Sequence, residues 1–302
     1  MVSVGLVLAA LTWVPHFGTL SNLRDIGLQV SILLVIAMPM TLIIMSEGLD
    51  LSAGAVLSLC AVVFALVLGL GAGIGAALAA AALLGTLFGL LNGVLVASFG
   101  LPPFVVTLGT LGIAQGIALV LTDGNAVEVA TPVAASLYAW SLFGVPFAVL
   151  LAVLVYGLTH LLLYHTRFGA YVFAIGGNRE ALLLAGVRAR LFHIAIYAFG
   201  GLVVGCASLL IVGRMNSAPP AAAIGMEFDA IAAVVLGGTS FERGDGWLLG
   251  TVLGVVTIGM LRNALNLLGV ESSLQVVSIG VLVLLVVITD SIVKARKKES
   301  IA

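Results

Sequence analysis

Apolar residues run along this chain in blocks of about twenty, the length at which an α-helix crosses a bilayer. Short clusters of charge, glycine or proline separate them. The blocks fall at 2–17, 28–46, 52–71, 74–98, 103–122, 143–165, 192–213, 228–239, 247–268 and 273–291. That makes ten, the eighth too short to cross alone. No residue from 51 to 122 is charged, which leaves room for three crossings joined by short turns. A transmembrane β-barrel would alternate apolar and polar residues in strands of about ten, and that alternation is missing. The pattern predicts an all-α, polytopic membrane protein of about ten spans, forming one domain over 1–302. The run at 2–17 lacks a basic leader and a small-residue cleavage site, so it reads as a first span and not as a removed signal.

Composition agrees with the pattern. Hydrophobic residues make up 62% of the 302 and charged residues 8%, with a mean hydropathy of +1.29, whereas soluble domains carry about a quarter charged residues. A net charge of −1 leaves no basic face for nucleic acid. Lys and Arg near span ends stay on the cytoplasmic side. With the N-terminus cytoplasmic, the loop at 166–191, the loop at 240–246 and the tail at 292–302 all lie inside. They hold Arg167, Arg179, Arg188, Arg190, Arg243, Lys294, Arg296, Lys297 and Lys298, nine of the twelve basic residues. Arg24, Arg214 and Arg262 then fall at or near the outer face. The loop at 123–142, with Tyr138 and Trp140, is outside as an interfacial anchor.

Three breaks in the apolar pattern carry the chemistry. In SEGLDLSAG, Ser46 to Gly54, Asp50 or Ser52 can accept hydrogen bonds from the free N–H groups opening the next helix. That makes the segment either a capped helical hairpin or a turn near the cytoplasmic mouth of a pathway. In the second break, Pro102-Pro103 suits the start of a span. Thr107, Thr110 and Gln115 follow it as a modest polar stripe, fit for helix–helix hydrogen bonds or for lining a hydrophilic path. In the third, Glu227 and Asp229 precede the short eighth block and are expected at the outer interface, capping a half-helix; intramembrane acids are otherwise functional suspects. Gly237-Gly238 end that block, and Glu242, Arg243 and Asp245 form a compact charged turn.

A faint duplication aligns LLNGVLVASFGLPPFVVTLGTLGI from Leu90 with LRNALNLLGVESSLQVVSIGVLVLL from Leu261. It sets Asn92 over Asn263 and implies two halves inverted across the membrane. Cys60 and Cys206 lie in apolar runs without metal-like spacing, and His16, His160, His165 and His193 lie near span ends without a catalytic neighbour. No catalytic, cofactor or metal site is expected. No GxxxxGK[ST] phosphate loop occurs, so energy for any pumping comes from elsewhere.

Four motifs, FAIGGNREALLLAGV, EFDAIAAVVLGGTS, GLDLSAGAVL and LPPFVVTLGTLGIAQGIALVLT, occur in the order of a known family. From about Thr19 to Asp290 the chain resembles the ribose/xylose-type permeases of bacterial ATP-binding-cassette sugar importers. The resemblance implies a fold similar to the type II, vitamin-B12-type importer permeases, in the bacterial inner membrane. It implies a second permease subunit, cytoplasmic ATPase subunits and a periplasmic sugar-binding protein as partners. Gly176, Gly177, Asn178, Glu180, Ala181 and Gly186 match the family's cytoplasmic signature, which is implied to couple to the ATPase. Here Asn178 can cap a helix from Arg179 through Leu184, Gly186 can end it, and Leu182, Leu183 and Leu184 offer it an apolar surface. Relatives commonly carry a glycine-rich turn after GGTS; here Phe241, Glu242 and Arg243 stand before Gly244, Asp245 and Gly246, which leaves open the role of that turn. Asn92, Thr107, Thr110 and Gln115 are candidates for the path. An ion-coupled transporter or channel is the alternative; it needs ionisable residues at mid-span, as a membrane-embedded enzyme needs a clustered acid, base or metal site.

Overall fold

Nine of the ten predicted blocks coincide with a helix; the first, at 2–17, lies largely outside the residues described. The computed structural model describes residues 12–240 and 244–299. Its helices are α1 (Leu20–Met45), α2 (Ala53–Gly69), α3 (Ile74–Ala97), α4 (Pro103–Thr122), α5 (Val133–Ala139), α6 (Phe147–His165), α7 (Arg167–Leu184), α8 (Ala189–Met215), α9 (Met226–Leu236), α10 (Leu248–Leu267) and α11 (Ser272–Glu299). Among the described residues six of these, α1, α3, α4, α6, α8 and α10, are long and apolar enough to cross a membrane. α2, α9 and the apolar part of α11 are shorter. The stretch 166–191, expected as a loop with one short helix, is mostly helical.

The most apolar window of α1 is 78% buried and that of α8 67%, against 28% for α3, α4 and α6. The first two form the axis of the bundle, and the other three turn one side outward. Close approach of α3 to α8 explains their packing. On α3, Ala81, Gly85, Gly89 and Gly93 recur every fourth residue and so share one face. A Cβ on Gly85 would strike the Gly201 carbonyl, and one on Gly89 the Tyr197 carbonyl. One on Gly93 would come within 2.8 Å of the Ile194 Cα. Backbones this close gain dispersion contacts that lipid cannot supply, which is how small residues drive helix association in membranes.

Helix direction follows from a few contacts. Asn22 at the start of α1 exchanges two amide hydrogen bonds, of 2.9 and 2.8 Å, with Asn263 near the end of α10. At the opposite end, Met45 of α1 lies against Gly176 of α7, and the Tyr164 hydroxyl accepts the opening N–H of α10 from Leu248 at 3.2 Å. α1 therefore runs from the Asn22 end to the Met45 end, and α8 runs the other way. Arg167, Arg188, Arg190 and the end of α11 lie toward the Met45 end. Near the Asn22 end, β1 (Val127–Glu128) pairs antiparallel with β4 (Ser217–Ala218), tying the segment after α4 to the one after α8. A hairpin of β2 (Ser141–Leu142) and β3 (Val145–Pro146) precedes α6.

Candidate functional site

The signature segment folds by local rules. α7 leaves helical geometry at Asn178, whose φ and ψ are −159° and 89°. The Asn178 side-chain oxygen then accepts the Ala181 N–H at 2.9 Å, an N-cap that starts a new turn of helix. The turn stops at Gly186, whose φ of +73° suits glycine. The Val187 N–H donates back to the Leu182 carbonyl at 3.2 Å, closing the helix end. Glu180 and Ala181 are exposed, and Leu184 is 90% exposed. Leu182 corrects the expectation of a three-leucine surface: it is buried, turned into the chain's own core.

Gly176 and Gly177 differ sharply. A Cβ on Gly176 would collide with the Met45 carbonyl and come within 2.5 Å of the Gly244 Cα, whereas one on Gly177 would meet nothing within 4 Å. Gly244 has a φ of +61°. The structure therefore locks α7, the end of α1 and the 240–246 turn together at a backbone contact that only glycines permit. In that turn Asp245 is exposed and its carbonyl accepts the Ser240 N–H at 2.8 Å. Glu242 and Arg243 lie outside the described residues.

Deeper in the bundle, most of the segment between α1 and α2 stays in the protein interior, with Glu47 the exposed exception. Ser46, Gly48, Asp50 and Ser52 are buried, and the Tyr197 hydroxyl holds both polar groups of Leu49, each at 3.1 Å. Asp50 accepts the Ser52 N–H at 2.8 Å and its hydroxyl at 2.6 Å. The Asn92 amide donates to the Ser52 oxygen at 3.0 Å and accepts the Thr110 hydroxyl at 2.8 Å. Each such interhelical bond contributes about 0.6–2 kcal/mol in a membrane. Thr107 is buried one turn before Thr110, with its hydroxyl on the Pro103 carbonyl at 2.9 Å. Gln115 stands apart from this chain, its Oε1 buried without a hydrogen-bond partner among the described residues.

The two acids in the first turn of α9, expected at the outer interface, are buried in the bundle. Glu227 is 1% exposed. One of its oxygens accepts the Gly225 N–H at 3.0 Å and fills the space beside Gly54, where a Cβ would strike it. The N-termini of α2 and α9 thus meet inside the bundle. Asp229 is buried and pairs with Arg262 at 2.8 Å. Composition at span ends could not reveal this burial, but a repeat could have: GLDLSA at 48–53 matches GMEFDA at 225–230, so Asp50 corresponds to Glu227 and Ser52 to Asp229. In both halves a short acidic break opens a helix that begins in the interior. Among the described residues no group of three or more His, Cys, Asp or Glu could hold a metal ion.

Comparison with known proteins places this architecture. The family model described as branched-chain amino acid transport system / permease component matches residues 22–287. The ribose import permease protein RbsC of Escherichia coli (strain K12) is 39% identical over 292 residues, covering 95% of this chain and 91% of that protein. RbsC of Bacillus subtilis (strain 168) is 38% identical, covering 95% and 88%. The L-arabinose transport system permease protein AraH of Escherichia coli (strain K12) is 35% identical, covering 97% and 89%. No solved structure matches the chain. With a family model across nearly its whole length and such relatives, the chain belongs to the branched-chain amino acid transport system / permease component family, and its resemblance to the ribose-type sugar permeases holds.

Proposed function

We propose that this chain is the permease subunit of an ATP-binding-cassette importer in the bacterial inner membrane. It moves a monosaccharide or related polyol that a periplasmic binding protein delivers, and separate cytoplasmic ATPase subunits drive it. The observation that carries this reading is 33–39% identity to permeases named for ribose, allose and arabinose, over 92% or more of the chain. Two permease copies, each with two inverted halves of the type II kind, form the membrane part. The matching acidic breaks at Asp50 and Glu227, on helices of opposite direction, support the inversion.

The Met45 end is the cytoplasmic one, since the predicted inside cations gather there. At that end the Asn178-capped turn presents Glu180, Ala181 and Leu184 for an ATPase groove, with Gly186 closing it. Gly176 transmits movement of this turn to α1 and, through Gly244, to the turn that carries Asp245. The path for sugar runs through the bundle near Asn92, Thr107, Thr110 and Gln115, whose hydroxyl and amide groups can exchange partners with a passing polyol.

The test is uptake of labelled ribose, allose and arabinose by cells expressing the chain with the ATPase and binding protein encoded beside it. Saturable, ATP-dependent uptake of at least one sugar is expected. Glu180→Arg and Gly186→Arg should each abolish uptake while the permease still inserts. Undiminished sugar-stimulated ATP turnover in either variant would refute the coupling role.

A further inference from the structure

A space lies among helices that belong mainly to the second half. Between α1, α9, α10 and α11 lies a cleft of about 940 Å³. A second void of about 390 Å³ shares Gln29, Arg214 and Asn266 with it and reaches Asn22 and Tyr138. The two form one tract from the Asn22 end to Gly225 and Met226, where α9 starts inside the bundle. The larger void by itself, at about 940 Å³, lies within the roughly 300–1,000 Å³ typical of small-molecule sites.

The repeat shows what changed. In the first half Asp50, Ser52, Asn92 and Thr110 bond to one another. In the second half the counterpart of Ser52 is Asp229, and it pairs with Arg262, the neighbour of Asn263, at the wall of the cleft. Side chains that bond to one another in one half correspond to an ion pair lining a cleft in the other.

The lining suits a neutral polyhydroxylated molecule. Gln29 has a buried Oε1 with no partner among the described residues, an acceptor aimed at nothing the protein supplies. Buried polar groups left so are costly and point to an absent partner. The Asp229–Arg262 pair lines the cleft and offers acceptors and donors side by side, as adjacent hydroxyls can use. Gln275 spends its amide nitrogen on Asn266 and the Val270 carbonyl, each at 2.9 Å, which fixes its side chain and leaves its oxygen to accept. Arg214 and Arg262 are matched in number by Asp25 and Asp229 across the two voids. Equal charge of both signs favours neither a sugar phosphate nor another ion. Apolar residues such as Ile279 supply the remaining wall for the C–H face of a sugar ring.

We propose that this cleft is a monosaccharide subsite on the transport path within the permease subunit, where Gln29, Asp229, Arg262 and Gln275 receive the sugar hydroxyls. The proposal rests on the importer reading above.

The test uses the complete importer in cells and measures initial uptake of labelled ribose, with allose, arabinose and leucine in parallel. Gln29→Leu replaces an unpaired buried amide by an apolar side chain of similar size, so the purified permease should melt at the same or a higher temperature. Uptake should nonetheless fall about tenfold, the loss of one or two hydrogen bonds to the passing sugar. Ile279→Trp, which adds bulk at an apolar position of the cleft lining, should lower uptake at least as far with normal membrane levels. Uptake within about twofold of the unaltered importer in both variants, at normal levels, would overturn the subsite and leave the importer reading intact. If the unaltered importer takes up leucine and no sugar, the importer reading itself fails.

Discussion

Gly176 and Gly177 are adjacent in sequence and face different surroundings, which makes them a matched pair for testing how the signature segment is attached. In Gly176→Ala the new methyl would lie 2.5 Å from the Gly244 Cα and 3.1 Å from the Met45 carbonyl carbon, with the Met45 oxygen closer still. Ordinary contact begins at 3.4 Å, so backbone on one side or the other must retreat by about 1 Å. No side chain can swing away to absorb it. Such overpacking costs about 1–3 kcal/mol. If that cost falls on the docked arrangement of α7, the undocked fraction rises roughly 5- to 150-fold. Sugar-stimulated ATP turnover in proteoliposomes should fall accordingly, while sugar binding to the periplasmic partner is unchanged. Gly177→Ala meets no neighbour, and alanine is the better helix former by about 0.5–1 kcal/mol, so it should match the unaltered protein. Equal damage from both substitutions, or none from Gly176→Ala, would refute the backbone lock.

Other substitutions probe the bundle itself. Asn263→Leu should lower the melting temperature, because it leaves the Asn22 side-chain oxygen without its donor at about 1–3 kcal/mol. Asn22→Leu should lower it further, because it also takes the amide donor from the Phe17 carbonyl, a loss the double variant keeps. Asn92→Leu removes the donor to Ser52 and the acceptor for Thr110, whose hydroxyls keep Asp50 and the Val106 and Thr107 carbonyls, so it should cost about 0.6–2 kcal/mol per bond lost, read as a lower melting temperature in detergent. Gly201→Leu forces α3 from α8 and should prevent accumulation of folded permease, whereas Gly75→Leu, at a glycine with nothing within 4 Å, should accumulate normally.

Most of the helical framework is legible in the apolar blocks, because a membrane demands long runs whose backbone bonds are internal. Which side of each helix faces inward is not. α1 and α8 are apolar all round and lack the stripe that marks a face in soluble helices. Their centrality shows only when Gly85, Gly89 and Gly93 are read as a repeat of four that needs a partner such as Gly201 and Gly205. The cap at Asn178 and the stop at Gly186 follow from sequence, since both obey local backbone rules. Leu182 was misjudged for the opposite reason: three consecutive leucines point in different directions on a helix, and only tertiary contacts decide which is covered. Glu227 was misplaced because charge near a span end normally means an interface, and here the span begins in the interior.

The contact of Glu227 with Gly54 makes two distant positions one heritable unit. A relative that gained a side chain at the position of Gly54 would have to shorten the acid at that of Glu227 and also draw back the carbonyl of Ala223, or lose the junction between its halves. Across many such sequences the two sites should therefore change together, bulk at one answered by brevity at the other, even though 172 positions lie between them.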